Sequence, residues 1–246
     1  MNPNLEVRLI RHAPKFESTH LDRALANQLT PRGRLSAYLY GVARRTDDAY
    51  DAVRIVTWDN DRNRETAGLI QAGYDGKAFA EAEPTTREAY QPTLDDRLKQ
   101  LIPEGPGSLR KLFKDGKLAR HVLTEAWYAM LANRSMYTQE DPDRQVLQQG
   151  AEAYLNIAAA YLTDEEPQAF EGKQKPLVVL VGNDPNLGAL QQLLERDAQL
   201  KELKPLEGIT FKVEKQMTYT FRSNGTSYTG IIAPELFGVQ KTPASC

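Results

Sequence analysis

The sequence predicts an α/β fold: a three-layer sandwich with a mainly parallel central sheet, an antiparallel edge and a mainly helical cap inserted at residues 84–175 of one domain, 1–246. Three observations carry this. Short apolar runs at 5–10, 53–57 and 176–181 are each followed, directly or after a short loop, by a helical pattern, as in a parallel sheet built from crossover units. The run Pro176-Leu177-Val178-Val179-Leu180-Val181 contains no polar residue, as expected of a strand buried on both faces. Towards the end of the chain the period becomes two, and Asn224-Gly225 stands where a hairpin turn belongs.

In the first strand Leu5, Val7 and Leu9 alternate with charge, and Ile10 closes the run. Leu29-Thr30-Pro31 announces a helix, with Thr30 as N-cap and Pro31 in the first turn. Leu35, Tyr38, Leu39 and Val42 recur at helical spacing and are expected to form its inner face. Val53-Arg54-Ile55-Val56-Thr57 is a second strand; Asp59 or Asn60 can cap the next helix, which is expected to stop at Gly73. Prolines and glycines then interrupt helical stretches at 94–102, 118–132 and 146–162, and 165–175 is a polar loop. After the buried strand, Asp184-Pro185 opens a helix with Leu187, Leu190, Leu193 and Leu194 inward. Strands at 209–214, 217–222 and 227–232 complete the chain.

Composition narrows the function classes. Lys and Arg number 31 against 33 Asp and Glu, so no global basic field attracts nucleic acid or an acidic membrane. Mean hydropathy is −0.55, and the apolar runs are far too short to span a bilayer. Met1-Asn2-Pro3-Asn4 carries neither a basic stretch nor an apolar core, so the chain reads as soluble and cytoplasmic. The single cysteine, Cys246, excludes an intrachain disulfide, and with 3 histidines a Cys/His zinc site is nearly excluded. No metal and no cofactor is expected.

Three junctions between a strand and the following helix carry chemistry. They are Arg11-His12-Ala13-Pro14-Lys15, Asp61-Arg62-Asn63-Arg64-Glu65-Thr66-Ala67 and Gly182-Asn183-Asp184-Pro185-Asn186. Ligands of open α/β sheets bind beyond the carboxyl ends of the strands, so these loops can share one pocket. Arg11, Arg62 and Lys15, together with amides at helix N-termini, make an anion site that suits phosphate. Two plainer readings stand beside this: Arg62 as an ion pair for Glu65, and Asp184 before Pro185 as simply a helix start.

These segments resemble the histidine phosphatase superfamily, whose members carry Arg-His-Gly after the first strand, and the acid-phosphatase branch more than the phosphoglycerate-mutase branch. Leu29-Thr30-Pro31-Arg32-Gly33 is similar to that branch's LTxxG helix start, and Val181-Gly182-Asn183-Asp184-Pro185-Asn186-Leu187 to its GHDTNL. Thr57-Trp58-Asp59-Asn60-Asp61-Arg62 looks like its ST…R segment, while Arg64-Glu65-Thr66-Ala67 resembles the mutase branch. The resemblance spans roughly 5–75 and 176–232 and leaves out the helical middle. It implies a phosphohistidine on His12, with Arg11 and Arg62 holding the equatorial oxygens and Asp184 as general acid. Lys15 stands where the branch has a second arginine. If the acid follows the mutase pattern instead, Glu88 is the candidate, with Glu81 and Glu83 as competitors.

Two positions depart from the family pattern. Ala13 replaces the glycine after the nucleophile. Asn183 replaces the second catalytic histidine, supplying an amide donor but no titratable charge. Losing such a contact costs about 10²–10³ in turnover. The expected function is phosphomonoester hydrolysis impaired by Asn183, with a small phosphomonoester or phosphate ion as ligand. The alternative is a pseudophosphatase that binds a phosphorylated ligand; a mutase has less support.

Overall fold

A computed structural model gives the structure of residues 4–16, 28–57, 61–82, 93–94, 142–162, 170–194, 203–213, 217–223 and 226–232. Its strands are β1 (Glu6–Arg11), β2 (Ala52–Thr57), β3 (Thr93–Leu94), β4 (Pro176–Gly182), β5 (Gly208–Val213), β6 (Met217–Ser223) and β7 (Thr226–Ile231). They form one sheet in the order β3-β2-β4-β1-β5-β6-β7. β3, β2, β4 and β1 run parallel, and β5, β6 and β7 continue the sheet antiparallel from β1. The mixed α/β sandwich expected from the sequence is therefore present. Ser223 pairs with Thr226, a register that suits the expected hairpin, although Asn224-Gly225 itself lies outside the described residues.

The all-apolar β4 is buried on both faces, because helices cover the sheet on each side. Val178 and Leu180 join Leu5, Val7 and Leu9 of the β1 segment in one core, under α4 (Pro142–Leu162) and α5 (Asp184–Leu194). Leu177, Val179 and Val181 join Ile10 in the other, under α1 (Pro31–Thr46) and α2 (Asp61–Asp75). The alternation in β1 decides this split, since successive side chains point to opposite faces. In α4 the run from Tyr154 to Leu162 is buried except at Asn156, so this helix, which lies within residues 84–175, packs into the core beneath the sheet. In α5, Leu187 and Leu190 are buried and Leu193 and Leu194 pack against the same core, as the spacing predicts. Of residues 84–175, only 93–94, 142–162 and 170–175 are described.

Two local expectations fail for one reason. The buried residues of α1 are Gly33, Ala37 and Gly41; of the expected face Tyr38 packs against the core and Val42 is half-buried, but Leu35 and Leu39 are exposed. Nor does Gly73 end α2: the helix runs on to Asp75, and Gly76, at φ 76°, is the residue in the left-handed region. Gly41 and Gly73 instead let α1 and α2 touch backbone to backbone. A Cβ at Gly41 would lie 2.0 Å from the Ile70 carbonyl oxygen, and one at Gly73 would lie 2.1 Å from that of Tyr38. Small residues at i and i+4 thus outrank leucines where two helices press this closely.

Candidate active site

The parallel pairing puts the carboxyl ends of β2, β4 and β1 side by side: Thr57 is level with Val181, and Arg11 with Gly182. The loops that follow are laced together. The His12 amide donates to the Gly182 carbonyl at 3.1 Å. Asn63 Nδ2, fully buried, donates to the Val181 carbonyl at 3.4 Å. Arg62 Nη2 donates to Asn183 Oδ1 at 2.9 Å. One residue from each of three junctions, distant in sequence, thereby reaches a common point.

His12 is 3% exposed. Its Nδ1 lies 2.8 Å from the Ala13 carbonyl oxygen, which can only accept, so Nδ1 carries the proton and Nε2 keeps its lone pair. Burial pushes the imidazole pKa down to about 3; the charges of Arg62, Arg11 and Lys15 push the same way, against the Ala13 carbonyl. Ala13 is fully buried, and only Ala49 and Leu206 have positive φ among the described non-glycine residues, so alanine fits here without strain. Pro14 reinforces this, because a residue before proline is held extended.

Around this centre α1 and α2 act as clamps. Thr30 caps α1 by accepting from the Gly33 amide at 2.9 Å, and its own amide donates to the Pro14 carbonyl at 3.0 Å. Gly33 is required there, since a Cβ would fall 2.0 Å from the Pro14 carbonyl oxygen. Glu65 accepts from the Leu29 amide at 3.1 Å and from Arg34 Nε at 2.6 Å. The described side-chain partner of Glu65 is thus Arg34, while Arg62 reaches Asn183. Arg11 is held by the loop before β5, its guanidinium donating to the Leu203 carbonyl and its amide to the Glu207 carbonyl.

The remaining candidates divide by position. Lys15 is half-buried and forms a β-bridge with Leu29. With Oδ1 turned to Arg62, the donor end of Asn183 is its Nδ2. Asp184 opens α5, but its side chain lies outside what is described, as do Glu83 and Glu88 altogether. Glu81 is exposed on α3 (Phe79–Ala82). The sequence reading missed the bracing parts: Asn63, Thr66 and the 203–207 loop. Thr66 stood inside a noted motif, whereas a backbone carbonyl at Leu203 leaves no trace in a sequence. Among the described residues no three His, Cys, Asp or Glu side chains converge as a metal cluster, and no helix is long and apolar enough to cross a membrane.

No family model and no curated protein matches the chain. Among solved structures it is similar to a mycobacterial glucosyl-3-phosphoglycerate phosphatase at 17% identity and a TM-score of 0.46, with 85% of this chain and 90% of that one covered. It is likewise similar to Bacillus stearothermophilus YhfR, at 17% identity and 0.46, covering 92% and 96%. A phosphoglycerate mutase from Bacillus anthracis matches at 15% identity and 0.46, covering 91% and 94%.

Proposed function

We propose that this chain hydrolyses phosphomonoesters through a phosphohistidine on His12. The observation that supports this best is a neutral, buried imidazole whose Nδ1 is committed to the Ala13 carbonyl, with Arg62, Arg11 and Lys15 charged beside it. A nucleophile must present a lone pair at neutral pH, and this imidazole does. Nε2 attacks phosphorus as the bond to the leaving oxygen breaks. Arg11 and Arg62 neutralise the equatorial oxygens, with Asn183 Nδ2 as a further donor and Lys15 as a point charge. Asp184 protonates the leaving alkoxide in this reading, and then takes a proton from the water that attacks the phosphohistidine, releasing phosphate. No metal or cofactor has a part in these steps. Substrate choice falls to the inserted segment at 84–175, whose basic residues suit a phosphorylated small molecule.

The test is turnover of an aryl phosphate across pH 4–8 by the chain, by His12→Ala and by Asn183→His. Activity abolished in His12→Ala, with acid-labile, base-stable phosphate on the intact chain, is the expected result. Undiminished turnover in His12→Ala overturns the mechanism. A second reading draws on the Arg62–Asn183 hydrogen bond, which joins the arginine to an amide that cannot titrate. In it the chain is a pseudophosphatase that binds a phosphorylated ligand without cleaving it. Saturable phosphate binding by a chain with no turnover, together with a large gain in Asn183→His, favours that reading.

A further inference from the structure

Among the groups that brace the loop carrying His12, Thr66 stands in the most direct line to the imidazole. Thr66 is fully buried in α2, one turn after Arg62. Its hydroxyl donates to the Arg62 carbonyl at 2.7 Å, the back-bond to i−4 that a helical threonine readily makes. That donation fixes the proton and turns a lone pair outward, where the Ala13 amide donates to it at 3.2 Å. The next carbonyl along the chain, that of Ala13, holds His12 Nδ1. A continuous path therefore leads from the Arg62 carbonyl, through the Thr66 hydroxyl and the backbone of Ala13, to the imidazole.

We propose that Thr66 is a positioning residue for His12: by anchoring the Ala13 amide it fixes the carbonyl that keeps the proton on Nδ1 and the lone pair on Nε2. The role of His12 as nucleophile rests on the function proposed above, but its tautomer does not depend on that function. By analogy with the outer partners that orient metal-ligating histidines, such a contact is worth about 10–100-fold in activity.

Thr66→Val keeps the shape and removes the acceptor, Thr66→Ser keeps the acceptor, and Thr66→Ala is made alongside in case valine disturbs folding. Nitrogen-15 spectra of the histidine rings read the tautomer directly. The chain has only 3 histidines, so His12→Asn assigns the signal. The expected result is a single Nδ1–H tautomer in the parent and in Thr66→Ser, against a mixed or reversed one in Thr66→Val and Thr66→Ala. With an aryl phosphate, kcat should fall about 10–100-fold in the valine variant with KM nearly unchanged, and serine should restore it. Ring signals unchanged in both the valine and alanine variants overturn the assignment. If the parent turns nothing over while the tautomer still responds to Thr66, the phosphatase reading fails and the positioning role stands.

Discussion

The buried, neutral His12 should leave a mark on stability that is independent of any reaction. In the unfolded chain a histidine has a pKa near 6.5; in the fold burial, then Arg62, Arg11 and Lys15, lower it to about 3. Below pH 6.5 the unfolded state therefore binds a proton that the native state refuses, so stability falls with falling pH, at about 1.4 kcal/mol per unit, until the folded pKa is reached. Between pH 7 and pH 5 the loss from this one group integrates to about 2 kcal/mol. Among the described groups with a lowered carboxylate pKa, none titrates in this window. Glu6 is held below its usual range, its burial outweighed by Arg8 and Lys212, and Asp51 is lowered by the amides of Gln174 and Lys175, so both act only at lower pH. Urea unfolding at pH 5, 6 and 7 of the parent and of His12→Asn, which keeps an amide donor for the Ala13 carbonyl, reads the difference. The parent should lose about 2 kcal/mol more than the variant between pH 7 and pH 5. Parallel stability profiles would mean that His12 titrates as it does in water, and the account of a neutral nucleophile held among cations would fall.

Gly41→Ala should destabilise the fold by about 2 kcal/mol net, because overpacking against the Ile70 carbonyl exceeds the helix-propensity gain, and Tm should fall by roughly 4–8 °C. Tyr154 is fully buried, and its hydroxyl, pushed up in pKa by burial alone, has no hydrogen-bond partner among the described residues. Tyr154→Phe should therefore raise stability by about 1 kcal/mol in the same urea assay, and a loss would reveal a partner for that hydroxyl. Thr30→Ala removes the cap of α1 and should cost about 1 kcal/mol, seen as an earlier thermal transition. The profile of kcat/KM against pH should show no limb from His12 above pH 4, whereas Asn183→His, by adding a titrating imidazole beside Arg62, should introduce one displaced to the acid side of the ordinary imidazole range.

Much of this protein was already determined by its sequence. The unbroken apolar run of β4, the alternation in β1, the Thr30-Pro31 helix start and the two-residue hairpin spacing are local signals, and each depends on periodicity or turn chemistry that neighbours do not alter. The shared position of the expected site residues is equally local: Arg11 ends β1, His12 and Lys15 come after it, Arg62 comes after β2 and Asn183 after β4, and a parallel sheet has only one edge for those ends to share. What tertiary structure alone decided depends on distance between segments. Which face of α1 turns inward followed not from hydrophobicity but from how closely α2 approaches, and there Gly33, Ala37 and Gly41 displaced Leu35 and Leu39. The bonds from Arg62 to Asn183, from Ala13 to Thr66 and from Arg11 to the Leu203 carbonyl join residues 121, 53 and 192 positions apart. No local pattern encodes such pairings, because a hydrogen bond's worth at a buried site is set by which partners the packed core leaves within about 3 Å.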